Sequence, residues 1–450
     1  MTIRAGDRKG LVLVAVLWVA VVLMIIALAT GRKSRLDSKV SLTETERLRC
    51  KWACRAGLEK AIGVLSEDPC TADSLTDLWS DNEEDFNDVE LNGCVFKVKV
   101  IDEASKLNVN LATKEQLMGL DNMTEEIADT IIDWRDKDSN PGAAGAEMAY
   151  YQNLPYPYVI RNGPFKTMRE LLKVKGVTPE LLYGEDTNLN GELDFNERDG
   201  DESWPPDNGD NKLDQGWIAY LTCYSYDRNV DGLGSRRVDV GRANEGELVR
   251  SLQISRGQAK WIVDNRKNGY KSIADLISDG SPKKAEPAKG SPSRGEVKAE
   301  PLDMATFSSI ADKITVKSGM QQIPGLINVN TASREVLKAL LGGDASAEQA
   351  ADRVVTYRNS VTGGMTSIAD VLKVEGIKVA TFKKIAELIT VRSGVYTVRC
   401  FATAKRGDAR GTNLQAEAVV DRSSKPCKVL HWYQGSGPYF ANYRPTGSRG

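Results

Sequence analysis

Asp186, Asn188, Asn190, Glu192, Asp194 and Glu197 fall within one stretch, Asp186-Thr187-Asn188-Leu189-Asn190-Gly191-Glu192-Leu193-Asp194-Phe195-Asn196-Glu197, whose spacing could hold a metal ion. It fills every place of an EF-hand-type loop of about 12 residues: oxygen side chains at 1, 3, 5 and 9, glycine at 6, an aliphatic at 8 and a bidentate-capable glutamate at 12. Ca2+ takes about six to eight oxygens at flexible geometry, and Glu192 would add its backbone carbonyl. Calcium is therefore the expected cofactor. Farther on, Asp199, Asp201, Asp207, Asp210, Asn211 and Asp214 cluster around Pro205-Pro206 without that spacing. They read either as a solvated acidic loop or as a second, irregular calcium site. Asp136, Asp138 and Glu147, in WRDKDSNPGAAGAEMAYY, could orient that same loop through hydrogen bonds or contribute a ligand.

Catalysis has little material. His431 is the single histidine, so Ser-His, Cys-His and His-metal arrangements fall away. A carboxylate pair for glycoside cleavage is compatible with the composition. The acidic residues, however, already find their explanation in calcium-loop spacing, and no enzyme is expected. A net charge of -2 argues against a general polyanion binder.

These groups need a scaffold, and the first element of it is apolar. Leu11 to Thr30 (LVLVAVLWVAVVLMIIALAT) is uncharged, and about 20 residues at about 1.5 Å each make a helix long enough to cross a bilayer. Basic residues flank it on both sides (Arg4, Arg8, Lys9; Arg32, Lys33, Arg35), so charge barely sets its orientation. Leu36, Val40, Leu48, Trp52, Leu58, Ile62 and Leu65 recur at helical spacing, extending one amphipathic helix to about Ser66. Strand-like alternation appears in Cys94 to Asp102, then not until Val395 to Lys405, Thr412 to Val420 and Cys427 to Trp432. A small sheet so divided implies an inserted domain.

The insertion is repetitive. Leu107-Asn108-Val109-Asn110-Leu111-Ala112, KEQLMGL, MTEEIADTIIDWRD and FKTMRELLKVKGV return in order as Ile327-Asn328-Val329-Asn330-Thr331-Ala332, REVLKALL, SAEQAADRVVTYRN and MTSIADVLKVEGI. A weaker copy begins at Val238-Asp239-Val240. Each reads as an all-α helix-hairpin-helix-like unit with a strand-free loop, and Asn110 or Thr113, and Asn330 or Thr331, are expected helix caps. Similar units grip DNA phosphates through glycine-rich hairpins, and a membrane-anchored DNA receptor of a competence-type uptake system is the alternative function. Of the corresponding turns only LLGGDASAEQ has paired glycines, Gly342 and Gly343, and the unit is not basic, so no nucleic-acid partner is expected.

Three readings fit the N-terminus. A removable signal could be cut after Ala27-Leu28-Ala29, although its apolar core is shorter than this one. A plain anchor would keep the segment. The short basic leader ending at Gly10, directly before the apolar helix, resembles a type IV prepilin leader, which is cut to leave Leu11 as the new N-terminus. Most prepilins carry a glutamate five residues after the cut. Here that place is Ala15, and a buried carboxylate is costly without a partner amine, which a subunit with no protomer above it would not need.

Leader, helix without glutamate, split sheet, LNVNLA, WRD, GAE-x-x-YY (Gly145, Ala146, Glu147, Tyr150, Tyr151), calcium-type loop and INVNTA together resemble the minor pseudopilin K family of type II secretion. The resemblance implies processing by prepilin peptidase at Gly10 with methylation of Leu11, and a place at the pseudopilus tip with minor pseudopilins I and J above the major pseudopilin fibre. It also implies a single-pass bacterial inner-membrane protein with its bulk in the periplasm, supporting export across the outer membrane. In that compartment Cys70 with Cys94 and Cys400 with Cys427 are the expected disulfides, with Cys50 and Cys54 as buried apolar residues. The fold class is α+β: a transmembrane helix running into a pilin-like α/β core interrupted by a mainly α insertion. The expected segments are leader 1–10, transmembrane helix 11–30, core 31–103, insertion with two repeats and the calcium loop 104–278, disordered linker 279–303, third repeat 304–391, core strands 392–433 and flexible tail 434–450. The third repeat, linker and tail exceed the family's usual size.

Overall fold

The computed structural model describes residues 8–200, 202, 204–277, 297–317, 319–406 and 409–435. Most of the expected leader, linker and tail, and Asp201, lie outside the described residues. Helix α1 runs unbroken from Arg8–Glu67, roughly 90 Å at 1.5 Å per residue. Its apolar N-terminal part is entirely exposed, with no tertiary contact to bury it.

The inward stripe of α1 begins at Glu46 and continues through Cys50, Ala53, Cys54, Leu58, Ala61 and Leu65. This corrects the expected stripe. Leu36 and Val40 lie before the first buried residue of α1, and Leu48 and Trp52 point away from the protein, whereas Leu58 and Leu65 of the expected stripe are buried beside the small Ala53, Cys54 and Gly57 that let the sheet come close.

Five strands form the sheet, each antiparallel to the next in sequence order: β1 (Val89–Leu91), β2 (Cys94–Asp102), β3 (Val395–Arg406), β4 (Ala409–Asp421) and β5 (Lys428–Gly435). Alternation turns Phe96, Val98 and Val100 toward α1, while Lys97 and Lys99 fall on the other face. The chain leaves the sheet at Asp102 and returns at Val395, where Tyr396 pairs with Asp102.

Cys50 and Cys54 are buried as expected, but the geometry brings together neither Cys70 with Cys94 nor Cys400 with Cys427. Cys94 lies against Cys50 of α1, their sulfurs 3.7 Å apart. Cys54 donates to the Cys400 carbonyl at 3.5 Å, Cys427 meets Ser66 at 3.1 Å, and Cys70 is exposed. Cys70 follows the far end of α1, about 25 Å along the helix from Cys50, so it cannot reach Cys94.

The inserted region has a second, continuous core. Each of its three units closes on itself through a two-residue parallel strand pair: Leu107–Asn108 with Leu221–Thr222, Val238–Asp239 with Ile314–Thr315, and Ile327–Asn328 with Ile389–Thr390. These pairs bracket each unit, so the units are not all-α, while the loop between the helices carries no strand, as expected. The second unit also takes in helix Met304–Ile310 and its closing strand from beyond the linker, so residue 304 does not begin the third repeat.

The asparagines do something other than cap. Asn330 donates to the Met365 carbonyl and accepts its N–H, at 2.9 and 2.8 Å, and Asn110 makes the same paired bonds to Phe165 at 3.0 and 2.7 Å. Ser333 and Thr113 are the caps. Arg358, at the end of helix Ala345–Ser360, donates to the Val329 and Ala332 carbonyls at 3.0 and 2.5 Å, and Arg135 binds Val109 and Ala112 in the same way. The repeated sequence is a repeated solution to satisfying the same buried turn.

Units one and three meet at glycines. A Cβ on Gly119 would sit 2.6 Å from the Ala339 Cα, and a Cβ on Gly343 would sit 3.1 Å from the Gly119 Cα. Of the paired glycines, Gly343 therefore serves a close approach between helical units, while Gly342, at φ +118°, ends helix Arg334–Leu341. Gly119→Val should lower stability by about 1–3 kcal/mol through overpacking, read as a lower denaturation midpoint at unchanged slope.

Candidate calcium centre

Helix Pro179–Tyr183 ends at Gly184, and the chain turns directly into the loop that begins at Asp186. Gly191 has φ +69°, the left-handed conformation that a side chain resists. The Asp186 carboxylate accepts the Gly191 N–H at 3.0 Å, and Asn188 and Asn190 accept the N–H groups two residues on, from Asn190 and Glu192, at 2.8 and 2.7 Å. The Asn188 and Asn190 amides converge on the Asp194 carboxylate at 2.6 and 2.9 Å. Glu197 closes the loop by accepting the Asp194 N–H at 3.0 Å.

Two oxygens are left over. Asp186 Oδ1 and Glu197 Oε1 are buried without a hydrogen-bond partner, and Glu197 is 1% exposed. Desolvation, with the backbone bonds and nearby carboxylates secondary to it, pushes Glu197 up to about 7, and burial raises Asp186 as well. Buried carboxylate oxygens with unused lone pairs, amides beside them and a glycine at the sharp turn fit a bound Ca2+.

Sequence reasoning missed what holds this loop in place. Lys97 on β2 pairs with Glu192 at 2.8 Å, and Arg399 on β3 donates to the Leu189 carbonyl at 3.4 Å. A side chain at 191 would run into the Lys99 ammonium. The loop, part of the insertion, is therefore seated on the sheet face opposite α1. The visible signal was the outward lysine pair in CVFKVKVID.

The second acidic cluster is organised differently. Asp207 accepts the Gly209 and Gly200 N–H groups at 2.7 Å each, Asp210 accepts the Lys212 N–H at 2.8 Å, and Asp214 accepts from the Asn208 amide at 2.9 Å. Its hub is Glu185, which is buried and receives the Asn208 and Asp214 N–H groups at 3.3 and 2.9 Å. Among the described residues, Asp199, Asp207, Asp210 and Asp214 do not supply three carboxylates that converge.

A convergent trio does exist at Asp133, Asp136 and Glu147, whose ligand oxygens lie within 4.8 Å of one another. Asp136 Oδ1 and Glu147 Oε1 are buried without partners, and burial raises all three groups, aided by repulsion from nearby carboxylates, Asp138 among them in each case. Asp133, which sequence reasoning did not single out, accepts the Gly142 N–H at 3.1 Å and so folds the following segment back over the trio. Its position one helical turn before Asp136 was the available signal. Asp138 instead accepts the Asn140 N–H at 2.8 Å.

His431 sits on β5 opposite Val419, with no convergent carboxylate–histidine set among the described residues.

Two family models match the chain, both described as type II secretion system protein K, over residues 100–183 and 327–392. They cover the first and third units and leave the 186–197 loop between them. No curated protein matches by sequence. Among solved structures, the chain is similar to one from the GspK-GspI-GspJ complex of the enterotoxigenic Escherichia coli type 2 secretion system, at 12% identity and a TM-score of 0.46, over 88% of this chain and 99% of that one.

Proposed function

The chain belongs to the type II secretion system protein K family, and we propose that, as a minor pseudopilin, it ends the periplasmic pseudopilus at its tip with minor pseudopilins I and J. The observation that carries this reading is the contrast along α1. Its apolar first part is fully exposed and carries Ala15 where a buried carboxylate would need a partner, while its last turns bear the sheet and the bulky insertion. Such a subunit can stack on the fibre below it, and its insertion obstructs another subunit above.

The exposed helix is a membrane anchor, and in this reading it holds the protein in the bacterial inner membrane until extrusion. The role is structural rather than catalytic. Calcium would be held by Asp186, Asn188, Asn190, Asp194 and Glu197 with the Glu192 carbonyl, and it would neutralise carboxylates that otherwise repel. The Asp133, Asp136 and Glu147 trio is a second place of the same chemistry.

Processing tests the pseudopilin route. Expression with and without a prepilin peptidase, followed by mass spectrometry of the mature N-terminus, should give methylated Leu11 only with the peptidase. An intact N-terminus would point to a plain anchor, and a start at Thr30 would indicate a secreted protein.

A further inference from the structure

We propose that Cys50 and Cys94 form a disulfide that fastens α1 to the sheet; in the cell this rests on the reading above, which places these residues outside the cytoplasm. Both side chains are fully buried and face each other across the helix–sheet interface, their sulfurs 3.7 Å apart. Closing to the ~2.05 Å of a disulfide asks a shift of ~2 Å between sulfur atoms, the scale of a side-chain rotation. The alternative partner is removed by position, since Cys70 lies beyond the opposite end of α1.

The chemistry needs a thiol–disulfide oxidant. One cysteine thiolate attacks the oxidant's disulfide, breaking its S–S bond and forming a mixed disulfide. The second thiolate attacks the cysteine sulfur of that intermediate, forming Cys50–Cys94 and expelling the oxidant's remaining sulfur. The oxidant leaves as two thiols, having taken two electrons and the two cysteine protons. Burial pushes the Cys50 thiol up to about 12, with the neighbouring Cys94 adding to the effect, so the reaction belongs to folding, before α1 docks.

The position has a mechanical meaning. Glu46 and Cys50 are the first buried residues after the long exposed part of α1. A force drawn along the helix would begin to peel it from the sheet at that point, and a covalent link there blocks the first step.

The test is made on the full chain in detergent, unfolded and refolded with glutathione disulfide. It is then denatured in maleimide without reductant and digested. The expected product is a linked peptide pair containing Cys50 and Cys94, two hydrogens lighter than its parts and lost on reduction, with Cys50→Ser leaving Cys94 capped. Maleimide on both cysteines, or a Cys70–Cys94 link, would overturn the proposal. Circular dichroism on the same refolded sample shows that these products come from folded chain. Protein taken directly from cells tests location separately: a link formed by glutathione disulfide but missing from cell-derived protein would keep the pairing and overturn the extracytoplasmic reading.

Discussion

Arg422→Leu should cost about 3–5 kcal/mol of stability, because it strands a buried carboxylate. Arg422 lies at the end of β4 with its side chain 2% exposed. It pairs with Asp73, which is fully buried, and with Asp68 at 2.5 Å, and it donates to the Ser393 carbonyl at 3.1 Å. The Asp73 carboxylate also accepts the Ser393 N–H at 2.7 Å. Asn328 then reaches the Asp73 carbonyl, the Asp102 carboxylate and the Ser393 hydroxyl at 3.2, 3.0 and 3.2 Å. Five distant segments meet here, where the sheet hands over to the third unit.

The deficit should depend on pH. Desolvation pushes Asp68 up to about 6 and raises Asp73, and Arg422 opposes both shifts. Without the guanidinium their folded values rise further. The neutral forms that tolerate burial are then lost as pH climbs through those values. The variant should therefore be closest to the wild type near pH 5 and weakest near pH 7.5, as compared by urea midpoints. An equal deficit at both would mean that Arg422 acts through packing alone.

Chelation should lower the melting temperature of the wild type, and Glu197→Gln should abolish most of that difference. Free Ca2+ at about 100 to 1,000 times its dissociation constant adds about 2.7 to 4.1 kcal/mol to the folded state. Removing it leaves the buried Asp186 and Glu197 oxygens without a partner. The insertion should also loosen from the sheet, since the loop is what Lys97 and Arg399 hold. Hydrogen exchange in β2 and in residues 186–197 should accelerate together in EDTA. An unchanged melting temperature would remove calcium from the account, while loss in Glu197→Gln alone would make that glutamate a purely structural residue.

Much of this architecture can be read from the chain because its determinants are local. The apolar run and the alternation in CVFKVKVID report their own surroundings, and the INVNTA repeat marks a turn closed the same way each time. What stayed hidden depends on distance. Nothing near Asp102 indicates that it will accept from Asn328 and Thr331. The neighbour of Cys94 is hidden for the same reason: the fold sets it against Cys50, 44 residues earlier on α1, and leaves Cys70 exposed. The expected stripe on α1 holds at Leu58 and Leu65 but not at Leu48 and Trp52, because the helix face that meets the sheet there carries the smaller Cys50, Ala53 and Cys54. Asp133 went unremarked because a carboxylate in an amphipathic helix looks solvated until the GAE segment is seen to fold back over it.

Co-expression with minor pseudopilins I and J, followed by detergent purification and measurement of the complex mass, decides whether this chain joins them as a single terminal subunit. The expected result is a complex with one copy of each chain and no further copy of this one, as follows if the insertion obstructs stacking above it. A chain that purifies alone, or that instead binds duplex DNA with an affinity falling steeply with salt, would contradict it.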